Sequence, residues 1–340
     1  SDTAQFLGNI TGTANVIKNG SGILTLSGTN TYTGLTTVSA GTLTLDQASS
    51  TTGTVIKDTS AVTVNGGILN LADNTETIGA LTLTAGSITG TSKILTGSSY
   101  TINPGEGVSV SIAPILAGSV NLTKSAAGTL TLSGTNTYTG NTTINGGIIS
   151  VSSDRNLGAV PAEATASHII LNGGTISTTA TFELASTRGI ELGSSHGTIT
   201  VADSTTLTYD GIIADASGET NNFTKDGNGI LDLGGANTYT GTTTITAGTL
   251  QVTGTLSNST NVINSGIYDV DTTDTINSLS GTGAVQIASG VTLTTGDTED
   301  YTISGIISGD GNLTKAGSGS LTLSNNSNSY TGDTTVSEGT

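Results

Sequence analysis

The chain has 340 residues, with 8 Lys+Arg against 25 Asp+Glu, a formal net charge of -17, 49 Gly, and no Cys, Met or Trp. Eight basic residues in no cluster release few counterions from a phosphate backbone, which argues against nucleic acid and against an anionic membrane surface as partners. Without Cys there is no disulfide framework, thiolate metal site or Cys nucleophile, and no apolar run approaches the roughly 18 residues of a spanning helix, so no membrane insertion is expected of this segment.

In chain order, the first organised element runs GILTLSGTNTYTGLTTVSAGTLTL from Gly22. It returns as GTLTLSGTNTYTGNTTINGGIISV from Gly128, as GILDLGGANTYTGTTTITAGTLQV from Gly229 and, with one residue more and cut short, as GSLTLSNNSNSYTGDTTVSEGT from Gly319. The tyrosines Tyr32, Tyr138, Tyr239 and Tyr330 mark the copies, and Lys18, Lys124, Lys225 and Lys315 precede them by 14, 14, 14 and 15 residues. Half of the scarce basic residues therefore occupy one repeated position. Between copies the similarity decays into shorter variants such as VNGGILNL from Val64, LNGGTIST from Leu171 and INSGIYDV from Ile263. The chain starts at Ser1-Asp2 without a Met and stops inside a recognisable unit, so it is expected to be a piece of something longer.

Within the copies, Thr42-Leu43-Thr44-Leu45 and Thr129-Leu130-Thr131-Leu132 alternate apolar and hydroxyl residues. This is the period-2 pattern of a strand with one buried and one wet face. Thr is β-branched and suits a pleated surface, so it can stand outward where most proteins use charge. Gly recurs too densely for helices. Asn-Gly pairs at Asn19, Asn65, Asn145 and Asn172 fit type I′ hairpin turns or tight solenoid corners. Repetition over nearly the whole chain favours the solenoid, in which each coil buries its apolar stripe against its neighbours. The prediction is an all-β parallel β-helix, one continuous domain over 1–340 of about three and a half modules (approximately 1–106, 107–204, 205–297 and a truncated 298–340). Coils of about 20 to 25 residues stacked at ~4.8 Å would give about 14 to 17 turns.

GTLTLSGTNTYTGNTTINGGIISV, preceded by NLTK, resembles the passenger-associated transport repeat of bacterial autotransporter passengers. VSSDRNLGAV and HIILNGGTI, from Val151 to Ile176, resemble the segment that often follows it. The resemblance implies a right-handed parallel β-helix displayed outside a Gram-negative cell and exported through a C-terminal outer-membrane barrel. Proteases, adhesins and structural surface layers share such shafts, so it implies no particular ligand.

Candidate chemistry is sparse. The histidines are His168 and His196, and no G-x-S-x-G elbow accompanies them, so they are expected to be solvated or turn residues. Asp269, Asp271 and Asp274 form one acidic group, and Asp297, Glu299 and Asp300 another. Either could offer a carboxylate pair for a polysaccharide-acting enzyme or oxygen ligands for calcium, but neither has a basic neighbour, an aromatic platform or a calcium-loop grammar. Each repeat Tyr is expected to cover the edge of its own corner with its hydroxyl free for a backbone partner. Each repeat Lys is expected to lay its stem over the coil and reach turn carbonyls or an Asp. A water-ordering Thr grid would need pairs on one face in every coil, and Thr-x-Thr occurs irregularly. The sequons at Asn9, Asn121, Asn141, Asn222, Asn258 and Asn312 arise by chance in a chain this rich in Thr and Asn.

These readings lead to an extracellular shaft segment acting mechanically or adhesively, without catalysis or cofactor. Its expected partners are glycans or proteins of a host or neighbouring-cell surface, or copies of itself. A self-assembling filament or surface-layer subunit is the main alternative, and a polysaccharide-acting β-helical enzyme the second.

Overall fold

The Thr-Leu alternation is realised as short parallel strands that wind into a β-solenoid of about 16 turns in all. A computed structural model describes residues 2–46 and 55–340, in two compact units, Ser1–Val160 and Pro161–Thr340. A coil takes between 17 and 26 residues, the separations of the paired residues Tyr268↔Val285 and Thr36↔Val62. Among the described residues the one helical element is the 3-10 turn Asp154–Leu157. Asn156 closes it by accepting the Ser152 and Ser153 N–H groups, both at 2.9 Å.

In Ser1–Val160, seven in-register strands stack Lys18, Val38, Val64, Leu83, Ile102, Lys124 and Ile144 on the inside. The members of this column are buried, and each buried CH₂ contributes about 0.8 kcal/mol. One residue earlier on each strand, the outward column reads Ile17, Thr37, Thr63, Thr82, Thr101, Thr123 and Thr143. Six threonines thus follow one another on consecutive rungs, an order that irregular Thr-x-Thr spacing had concealed. Coil lengths vary, and the parallel register absorbs the variation in the corners.

In Pro161–Thr340, a seven-strand ladder runs from Phe182–Leu184 to Ile307–Gly309. Its inward column is Phe182, Leu207, Leu231, Leu250, Tyr268, Val285 and Ile307. Its outward column is Glu183, Thr208, Asp232, Gln251, Asp269, Gln286 and Ser308. A second ladder in this unit places Thr275, Thr294, Thr314 and Thr335 in register. Strand pairing among the described residues is parallel, so the Asn-Gly pairs make no hairpins there: those at Asn19, Asn145 and Asn172 lie between strands, and the one at Asn65 sits at a register shift within the strand Val62–Asn70.

Candidate functional site

The repeated Lys does not lie over its coil. Its stem occupies an inward position of the aliphatic column, and Lys124 and Lys225 are fully buried. The ammonium reaches the corner, where backbone oxygens from two successive coils meet it. Lys225 Nζ donates to Asp226 O at 2.9 Å, Gly227 O at 2.7 Å and, from the next coil, Ala247 O at 3.1 Å. Lys315 does the same with Ala316 O at 2.6 Å, Gly317 O at 2.7 Å and Glu338 O at 3.4 Å. Lys18 bonds Gly20 O and Ala40 O, and Lys124 bonds Ala126 O and Gly146 O. Burial pulls Lys124 and Lys225 down to about 8, Asp226 partly opposing it at Lys225. The carbonyl dipoles converging on the proton act in the opposite sense to burial.

A glycine covers each cage. Gly41, Gly147, Gly248 and Gly339 have φ of +63, +66, +63 and +75°, a region that costs other L-residues about 1–2 kcal/mol. A Cβ on Gly41 or Gly147 would also stand 2.5 Å from the lysine nitrogen.

Each repeat Tyr points inward. Tyr32, Tyr138 and Tyr239 are fully buried, and Tyr330 is partly so. Their hydroxyls pair with a threonine hydroxyl four residues on rather than with backbone: Thr36 at 2.6 Å, Thr142 at 2.7 Å, Thr243 at 2.6 Å and Thr334 at 2.5 Å. The threonine stands at an inward position where the preceding coil carries Val16, Leu122, Phe223 or Leu313. Outward Thr is therefore not universal, and at these four positions the inward Thr satisfies the phenol.

Two asparagines of the motif were missed by sequence reasoning, which took Asn for a corner residue. In NTY, the Asn Oδ1 accepts an N–H of the coil before: Asn30 from Ile10 at 2.7 Å, Asn136 from Leu116 at 2.8 Å, Asn237 from Ile213 at 3.0 Å and Asn328 from Ile307 at 2.9 Å. The Nδ2 of Asn30 and Asn237 donates to the coil after, to Val55 O at 2.7 Å and Thr255 O at 3.1 Å. One amide thus ties three coils. Three residues before each Lys, Asn15, Asn121, Asn222 and Asn312 accept the N–H of Leu35, Asn141, Thr242 and Asp333 at 2.8 to 2.9 Å. The signal was available: both Asn recur at fixed distances from Lys and Tyr in all four copies.

Two carboxyls complete corners in coils between the copies. Glu76 is fully buried and accepts Val55 N at 3.0 Å and Ile56 N at 2.6 Å. Asp274 accepts Leu256 N at 3.0 Å and Thr275 N at 2.9 Å. Burial raises Glu76 to about 7 and Asp274 to about 6 against those hydrogen bonds.

The remaining candidates are dispersed. His168 is buried with Nδ1 3.3 Å from Arg188, and exposed His196 sits at φ +68° accepting Asn222 N at 3.0 Å. Asp269 faces outward while Asp274 faces inward, so that acidic group divides between the two sides of the wall. Asp297 accepts Asn277 Nδ2 at 2.7 Å and Glu299 N at 2.5 Å, and Asp300 accepts Ser320 N at 2.8 Å. Among the described residues no three or more His, Cys, Asp or Glu gather to hold a metal ion.

The family model described as the passenger-associated transport repeat matches residues 16–45, 122–151, 223–252 and 313–340. Each match contains one caged Lys, its paired Tyr and Thr, and the NTY asparagine or its counterpart. The chain carries four passenger-associated transport repeats. The transport-repeat chain is also 36% identical over 200 residues to the "Adhesin BmaC autotransporter" of Brucella suis biovar 1 (strain 1330). That alignment takes in 58% of this chain and 5% of the relative's length. No solved structure matches the chain. Both comparisons support a place outside the cell, at the surface of a Gram-negative bacterium.

Proposed function

We propose that this chain is a stretch of the extracellular shaft of an autotransporter adhesin, giving reach and multivalent contact and performing no catalysis. The observation that carries this reading is the division of labour across the wall. The repeated Lys, Tyr and Asn are spent on holding consecutive coils together, while the outside presents hydroxyl columns such as Thr37 to Thr143 on successive rungs. Many weak, equally spaced hydrogen-bonding groups suit avidity more than a single tight site. The relative's name supports adhesion, and both histidines, Asp274 and the Asp297 group are engaged in local structure.

The test is to display the chain as a passenger on a Gram-negative cell and measure attachment to glycan-coated and protein-coated surfaces. Replacing Thr82, Thr101 and Thr123 by Glu should reduce attachment while leaving surface display unchanged. Attachment of the variant equal to that of the parent chain, or of the parent equal to that of cells lacking the chain, overturns the reading. Electron microscopy of the displayed chain showing a lattice or continuous fibres would favour self-assembly instead.

A further inference from the structure

Charge is distributed very unevenly. Ser1–Val160 carries 7 Asp+Glu and 5 Lys+Arg, whereas Pro161–Thr340 carries 18 and 3. All three cations of the second unit are interior: Arg188 and Lys225 are fully buried and Lys315 is 2% exposed. Two of them are turned into carbonyl cages and the third lies against His168. The outside of Pro161–Thr340 therefore presents carboxylates without a single exposed lysine or arginine.

These carboxylates have an order. On the seven-strand ladder, Glu183, Asp232 and Asp269 stand in the outward column. Asp210, Asp271 and Asp310 each follow directly on a strand of this ladder, after Tyr209, Val270 and Gly309. Gln251 Nε2 donates to Asp271 at 2.7 Å, and Thr253 Oγ1 to Asp232 at 2.6 Å, fixing those carboxylates in place. Between the rungs, Asp269, Gln286, Ser308 and Asp310 line an open concavity of about 410 Å³. Asp269 is held above the usual carboxylate range by burial and by Asp271, so a cation beside it would relieve an existing repulsion.

We propose that this ladder face is an interaction surface for a polycationic protein segment, whose Lys or Arg side chains seat against Asp232, Asp269 and Asp310. The proposal rests on the reading of the chain as a contact shaft and names its partner class. A flexible basic chain can follow carboxylates that recur every one or two rungs, and its cations replace the counter-charges that the solenoid keeps inside. Ser1–Val160, near charge balance, has no equivalent role.

The purified full chain is tested without cells, which separates this result from that of the attachment assay. Binding to immobilised poly-L-lysine is measured from about 50 to 300 mM NaCl, where screening shortens steeply. The variant Asp232→Asn, Asp269→Asn, Asp310→Asn keeps side-chain shape and should lose affinity by about tenfold with a flatter salt dependence. The control Asp2→Asn, Asp73→Asn, Glu106→Gln removes the same charge from the other unit and should stay within about twofold. Circular dichroism matched to the parent confirms that both variants fold. Equal losses in the two variants, salt-independent binding, or saturable Ca²⁺ uptake without retention on poly-L-lysine each overturn the proposal.

Discussion

At the scale of single residues, the structure separates buried hydroxyls that are paired from those that are not. Tyr239 shares its proton with Thr243 inside the solenoid, whereas the Tyr268 hydroxyl is buried with no partner. Removing one member of a buried pair leaves the other unsatisfied, at about 1–3 kcal/mol. Tyr239→Phe should therefore destabilise by that amount in urea unfolding, and Tyr239→Phe with Thr243→Val should recover most of it. Tyr268→Phe should be neutral or stabilising. The cage makes a second residue-scale prediction. Gly147→Ala forces a left-handed Ala and crowds the Lys124 nitrogen, so it should cost about 1–2 kcal/mol or more. The same change at Gly20, which has open space around it, should stay within about 0.5 kcal/mol. Equal thermal midpoints for the two variants would refute the role given to the cage.

At the scale of an element, the corner closed by Glu76 ties stability to pH. Its pKa of about 7 in the folded chain lies above the ordinary 4.5, so the folded state binds the proton more tightly than the unfolded one. Stability from this group is complete below the ordinary value and is lost as pH rises through about 7. Asp58 and Tyr32 face the same carboxyl, and ionised Asp58 adds to the loss. Hydrogen exchange at the Val55 and Ile56 amides, corrected for the intrinsic rate, should show protection falling between about pH 5 and 8. Glu76→Gln should abolish that slope while lowering protection at all pH values, because an amide offers one acceptor where the carboxyl offers two. Corners are also where the sequence was hardest to read. Strands such as Thr129–Leu132 declare their buried face by alternation, and the Lys and Tyr registers declare a repeat. Whether a polar side chain turns in or out at a bend depends on which backbone groups the next coil brings, about 20 residues away. The NTY asparagines and Glu76 answer to such distant partners, so local pattern had no hold on them.

At the scale of the whole molecule, the charge asymmetry predicts a response to salt. Pro161–Thr340 holds a net -15 of the total -17, and self-repulsion of this kind is screened within a Debye length of about 10 Å at 0.1 M salt. Raising NaCl should slow hydrogen exchange more within 161–340 than within 1–160, and uniform slowing in both would contradict the distribution described. The caged lysine bears on a different matter, the inheritance of such chains. Lys124 meets one carbonyl in its own turn and the other at Gly146, and Asn121 reaches forward to Asn141 in the same span. A crossover between these positions would join a buried cation to a foreign corner. The coil is therefore the unit of geometry, but the unit that can be cut and rejoined is longer, running from the asparagine before the lysine to the glycine over its ammonium. Gene duplications and crossovers among related passengers should consequently have breakpoints clustered in the variable stretches that follow Leu45, Val151 and Val252, and few between a lysine and its covering glycine.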